Sequence, residues 1–87
     1  MAWVCYLLEC ADGTLYTGIS NNLPRRLGQH GRGVASKYTR TRLPVRLHYA
    51  EKHPTRSSAL RREAAIKRLP RARKLALRRR RRRARAP

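Results

Sequence analysis

Five side chains spread along the chain are of types that can do chemistry together: Tyr6, Tyr16, Arg26, His30 and Glu63. A phenol can position or deprotonate water. Its ordinary pKa is near 10, so acting as a base requires nearby cations that favour the phenolate. A guanidinium presents a planar fork of donors to an oxyanion. A lone carboxylate such as Glu63 can hold one hard divalent cation while water and phosphate complete its shell. Each residue also has an ordinary reading. The tyrosines can simply pack in strands, and Arg26 and His30, four apart, can form a solvated basic helix face. Glu63, one of only four acidic residues, can pair with Lys67 four residues on.

The elements that must position these groups are legible in the pattern. Residues 4–10 and 14–19 are apolar and β-prone, with Ala11-Asp12-Gly13 between them, which predicts a hairpin. Its turn decides where the tyrosines point. A two-residue turn at Asp12-Gly13 would put Tyr6 and Tyr16 on opposite faces of the sheet. A three-residue loop with Gly13 left-handed would pair Cys10 with Thr14 and put both rings on one face. Only the second arrangement lets them share a site.

Asn21-Asn22-Leu23-Pro24 reads as a helix start, with Asn as cap and Pro in the first turn. That helix should run to about Gln29 or His30 and end at Gly31 and Gly33. Residues 32–44 are basic and polar without a period and read as loop. Residues 45–51 alternate as a third strand. Pro54 and Thr55 open a second helix, with Ala59, Leu60, Glu63, Ala64, Ile66 and Lys67 on one broad face. Pro70 ends it, and residues 71–77 can form one more helical stretch that packs Leu75 and Leu77. The order ββαβα implies an α+β fold, a small three-stranded antiparallel sheet flanked by helices.

The chain has 87 residues and 40% hydrophobic content, enough for one domain with a small core. We divide it into a domain over residues 1–77 and an arginine-rich tail over 78–87, expected to be disordered when free. Lys plus Arg number 23 against 4 Asp plus Glu, for a net charge of +19, which calls for a polyanion. DNA is the expected partner, with RNA or an anionic membrane surface as other polyanions that would satisfy the charge. No apolar stretch approaches the roughly 18 residues of a membrane span, and no signal peptide is visible. Cys5 and Cys10 lie in one strand and suggest neither a disulfide framework nor a metal knuckle, consistent with a reducing cytoplasm. A monomer is expected.

With these residues in place, the chain resembles the GIY-YIG nuclease superfamily, and most of all its small stand-alone bacterial members. Val4-Cys5-Tyr6 and Tyr16-Thr17-Gly18 resemble the two motifs that name the family. Arg26 falls at its helix arginine, His30 at the histidine of many members, and Glu63 at its metal-binding glutamate. The similarity spans roughly residues 3–75. Val4-Cys5 stand where the first motif has Gly-Ile, and no Asn follows Asn22, so the late Asn of some members has no counterpart.

The resemblance implies an endonuclease hydrolysing DNA phosphodiester bonds, with selectivity for DNA structure in repair or processing as an open extension. It implies catalytic roles for Tyr6, Tyr16, Arg26, His30 and Glu63, and one Mg2+ or Mn2+ ion on Glu63. Gly18 would let backbone approach phosphate closely. Arg26, Lys37, Arg78, Arg79 and Arg80 would contact nucleic acid, and six tail arginines displacing counterions would give a salt slope of about −5. The rival reading is a non-catalytic DNA- or RNA-binding module on the same fold.

Overall fold

The computed structural model describes residues 2–78. Most of the tail, with Arg79 and Arg80, lies outside the described residues. Strand β1 (Trp3–Cys10) is followed by β2 (Leu15–Ser20), helix α1 (Leu23–Gly31), a short helix α2 (Lys37–Arg40), β3 (Val45–His53), α3 (Arg56–Lys67) and α4 (Arg71–Ala76). The three strands form one antiparallel sheet in the order β2-β1-β3, so β1 is central and β2 is an open edge.

The hairpin takes the three-residue form. Cys10 N donates to Thr14 O at 2.9 Å, and Gly13 N donates to Cys10 O at 2.9 Å. Gly13 has φ +84°, a left-handed conformation open to glycine at little cost. Asp12 closes the loop, accepting from the backbone N–H and hydroxyl of Thr14 at 3.1 and 2.6 Å. The resulting register sets Tyr6 opposite Gly18 and Leu8 opposite Tyr16. Tyr6, Leu8 and Tyr16 therefore share a face.

The opposite face carries the core. Cys5, Leu7 and Ile66 are fully buried, with Leu15, Ile19, Tyr49 and Leu77 packed around them. Helix α3 lies on this face, its first turn capped by the Thr55 side chain, which accepts from Ser58 N at 3.0 Å. The buried stripe of α3 is narrower than the pattern suggested. Ala59 and Ile66 are buried and Glu63 is half-buried, whereas Leu60, Ala64 and Lys67 face outward. Residues seven apart return to the same side of a helix, and 60 and 64 lie off that line.

Both cysteines are buried free thiols, and burial pushes the Cys5 thiol up to about 11. Among the described residues no helix is long and apolar enough to cross a membrane.

One expectation fails locally. The segment read as loop contains α2, a single helical turn capped by Ser36, whose side chain accepts from Tyr38 N and Thr39 N. Four residues are too few to show a helical period, so only the cap could have signalled it. The element is tied to the hairpin: Ala11 N donates to Arg42 O at 2.9 Å, and Arg42 pairs with Asp12 at 3.1 Å.

Candidate active site

The tyrosine face of the sheet is covered by α1 and α2, and its buried groups are polar. Asn22 caps α1, accepting from Arg25 N at 3.2 Å, and Pro24 occupies the first turn. The helix then carries His30 inward to complete burial. Arg26 and His30 are therefore not a solvated face, because His30 has left solvent altogether.

Tyr6, 1% exposed, lies with its hydroxyl 3.0 Å from His30 Nε2. On the other side of the ring, His30 Nδ1 is 2.9 Å from Thr39 Oγ1, and Thr39 Oγ1 donates to Ser36 O at 3.5 Å. Ser36 O can only accept, so a Thr39 hydroxyl that donates to it accepts from His30 Nδ1–H in turn. Nε2 is then free to accept the Tyr6 O–H. Burial, reinforced by the Arg26 charge, lowers the His30 pKa and keeps the ring neutral. Burial raises the Tyr6 pKa, with the Arg26 guanidinium pulling the other way and the Tyr16 and Glu63 charges adding to the rise. In that tautomer the resting pair is a protonated phenol donating to a neutral imidazole.

Tyr16 completes the cluster. Its ring centroid is 6.5 Å from that of Tyr6 and 5.2 Å from that of His30, edge-on to the imidazole. Tyr38 stacks on Tyr16 at 5.9 Å, and the Arg42 guanidinium lies 3.9 Å over Tyr38. Gly18 makes the close approach feasible. A Cβ there would sit 2.6 Å from the Tyr6 hydroxyl oxygen and 3.2 Å from Tyr16 Cε2. The missing side chain of Gly18 is the space that the Tyr6 hydroxyl occupies.

Arg26 donates through Nη1 to Gln29 Oε1 at 3.2 Å, while its Nε is buried with no hydrogen-bond partner among the described residues. A buried donor without an acceptor is costly, and an anion such as phosphate would supply one. Glu63, on α3, has its side chain 19% exposed and pairs with Lys67 at 3.4 Å. Its charge nevertheless acts on Tyr6 and Cys5. Among the described residues there is no cluster of three or more metal-ligating side chains. A lone hard carboxylate such as Glu63 fits a Mg2+ ion held largely by water and phosphate better than it fits a protein cage.

Lys37 is exposed on α2 beside this cluster in sequence, and Arg78 is exposed at the end of the described chain. Sequence reasoning missed Thr39, Tyr38 and Arg42. Ser36, placed to cap a turn containing Tyr38 and Thr39, was the available signal.

Residues 2–76 match the family model described as the GIY-YIG catalytic domain. The chain is 51% identical over 74 residues to a UPF0213 protein of Xanthomonas axonopodis pv. citri, covering 85% of this chain and 72% of that one. It is 49% identical over 72 residues to a UPF0213 protein of Halobacterium salinarum, covering 83% and 94%. Two solution NMR structures are similar, each at 40% sequence identity. A UPF0213 protein of Bacillus halodurans gives a TM-score of 0.54 over 85% of this chain and 79% of the other. A protein of E. faecalis gives 0.61 over 87% and 81%. With residues 2–76, almost its whole described length, matched by the family model, the chain belongs to the GIY-YIG family.

Proposed function

We infer that this chain is a divalent-metal-dependent nuclease that hydrolyses DNA phosphodiester bonds. The observation that carries the reading is the buried Tyr6–His30–Thr39 chain with the Arg26 guanidinium acting on Tyr6, its Nε without a hydrogen-bond partner among the described residues. A phosphate seated on Arg26 would satisfy that donor and bring a phosphorus centre next to the Tyr6 hydroxyl. Tyr6 accepts a proton from the attacking water as its own proton passes to His30 Nε2, so the hydroxide forms while the phenol is restored.

The neighbouring charges suit that sequence. Arg26 depresses the proton affinity of His30 in the resting site. A bound phosphate offsets the Arg26 charge, so His30 becomes a better acceptor when substrate is present. Thr39 holds the imidazole in the tautomer that leaves Nε2 open. The edge-on ring of Tyr16 closes the other side of the cluster, and its hydroxyl is the group assigned to orient the water. Glu63 is the residue that would hold Mg2+ or Mn2+. The ion would supply Lewis-acid neutralisation of the phosphoryl and leaving oxygens. The basic tail adds sequence-independent backbone attraction. Two buried free thiols fit work in a reducing compartment, such as the cytoplasm during DNA repair or processing.

The test is cleavage of labelled DNA in Mg2+ by wild type, Arg26→Ala and Glu63→Ala. Each variant should lose about 100- to 1,000-fold or more in rate, the scale of removing one charge-stabilising group, while DNA binding persists. A wild-type protein that binds DNA but cuts none in Mg2+ or Mn2+ would establish the binding-module alternative. A variant that cuts at the wild-type rate would remove the role given to that residue.

A further inference from the structure

A cavity of about 330 Å³ opens where the end of β2 meets the first turns of α1, bordered by Trp3, Asn21, Asn22, Arg25, Arg26 and Gln29 among others. Arg26 thus borders this cavity while its charge acts on Tyr6 and His30. We propose that the cavity receives one unpaired nucleotide next to the phosphate bound by Arg26, its base lying against Trp3. The substrate class is then DNA with an unpaired nucleotide at the cut, such as a flap or a single-stranded overhang. This proposal rests on the nuclease reading above.

Three observations converge on a nucleotide. First, the volume falls at the lower end of the roughly 300–1,000 Å³ range of small-ligand sites, which admits a nucleotide but no paired base with its stack. Second, the polar groups match a nucleotide's parts. Arg25 and Arg26 both border the cavity and answer the phosphate. Gln29 Oε1 is engaged by Arg26, and Asn22 Oδ1 by Arg25 N, so both amides have N–H groups left to offer a base edge. Third, Trp3 supplies a π-face, and the Arg56 guanidinium lies 5.8 Å from its ring centroid, polarising the indole. Stacking of a base on an aromatic ring tolerates any base but requires one that has left its own stack. A fully paired duplex covers both faces of every internal base and cannot fill this cavity.

Trp3 is the only tryptophan in the chain, so its emission reports on the cavity alone. The measurement uses the full-length protein in EDTA, where nothing needs to be cut. The probes are a short single-stranded oligonucleotide, a blunt duplex of the same length, and an abasic strand of the same length, with binding followed separately by anisotropy. The single strand should quench Trp3 emission at saturation, while the duplex and the abasic strand bind with little quenching. Equal quenching by all three, or none by any, would overturn the proposal, because it would mean that backbone contacts alone are being made.

A second arm uses Trp3→Leu in Mg2+. The kcat/KM for a flapped duplex should fall about tenfold, through KM, while the affinity for a blunt duplex, which offers no unpaired base, stays the same. An equal loss on both substrates would overturn the proposal. The two readings fail separately. A wild-type protein that quenches as expected but never cuts would end the nuclease assignment and keep the cavity, whereas cutting without quenching would end the cavity alone.

Discussion

The central strand β1 presents two faces of opposite character. On one, Cys5 and Leu7 pack against Ile66 of α3 in a dry apolar core. On the other, Tyr6 meets His30, Thr39 and Tyr16 in a buried network of hydrogen bonds and aromatic contacts. Alternate residues of one strand thus serve different ends. The apolar face is held by burial, which is non-directional and tolerates repacking. The polar face depends on atoms spaced within tenths of an ångström, and any unsatisfied member is costly. Substitutions on the first face should therefore show up in stability, and those on the second in rate.

The sharpest test of that division is Gly18→Ala. The added Cβ would stand 2.6 Å from the Tyr6 oxygen and 2.8 Å from Cζ, so the ring must move off His30. A displacement of about 1 Å at a reacting group costs on the order of 100-fold in rate. Cleavage should fall by about that factor, with a far smaller change in melting temperature. An equally active Gly18→Ala protein would show that the Tyr6–His30 contact is dispensable.

Ile66→Ala is the mirror experiment. Removing a fully buried aliphatic chain should cost about 2–5 kcal/mol by denaturant titration. The turnover number should hold at temperatures where the protein stays folded. A large drop in turnover without loss of stability would mean that the core face also tunes the site.

The pH dependence sharpens the comparison further. His30 titrates below its ordinary value of about 6.5 when folded. Between the folded and unfolded pKa values the unfolded chain binds the extra proton. The stability linked to neutral His30 is therefore full above the unfolded value and lost as pH falls through the folded one. Cleavage should share that acid limb, since protonated His30 cannot accept from Tyr6. A rate profile with its acid limb at or above the ordinary histidine value would contradict the buried, neutral ring.

The smallest effect on turnover belongs to the tail. Truncation after Leu77 removes seven arginines and no residue assigned to catalysis. Affinity should drop, and the slope of log K against log salt should become shallower by about 0.9 for each phosphate that the shortened chain no longer neutralises. The rate at saturating DNA should be unchanged. A truncated protein that folds and binds yet fails to cut would place part of the site in the tail.

Much of this molecule is determined locally and so is legible in the sequence. Asn22 and Thr55 cap helices through atoms two or three residues away, and Asp12-Gly13 can only turn the chain. The spacing of Tyr6, Tyr16, Arg26, His30 and Glu63 marks the family without any knowledge of distance. The tertiary structure decided what depends on distant partners. The choice between a two- and a three-residue loop was open until pairing set Tyr6 opposite Gly18. Glu63 pairs with Lys67, as its spacing allowed, and its charge also reaches Tyr6 on the central strand, which spacing along one helix could not reveal. His30 became a buried acceptor only when α2, docked through Arg42 and Asp12, brought Thr39 to its far side. A four-residue helix has no period to read, and a histidine's burial is a property of what packs over it. Dihedral preferences act over a few residues, whereas burial and hydrogen-bond pairing in this site join atoms up to 24 positions apart, as between Tyr6 and His30.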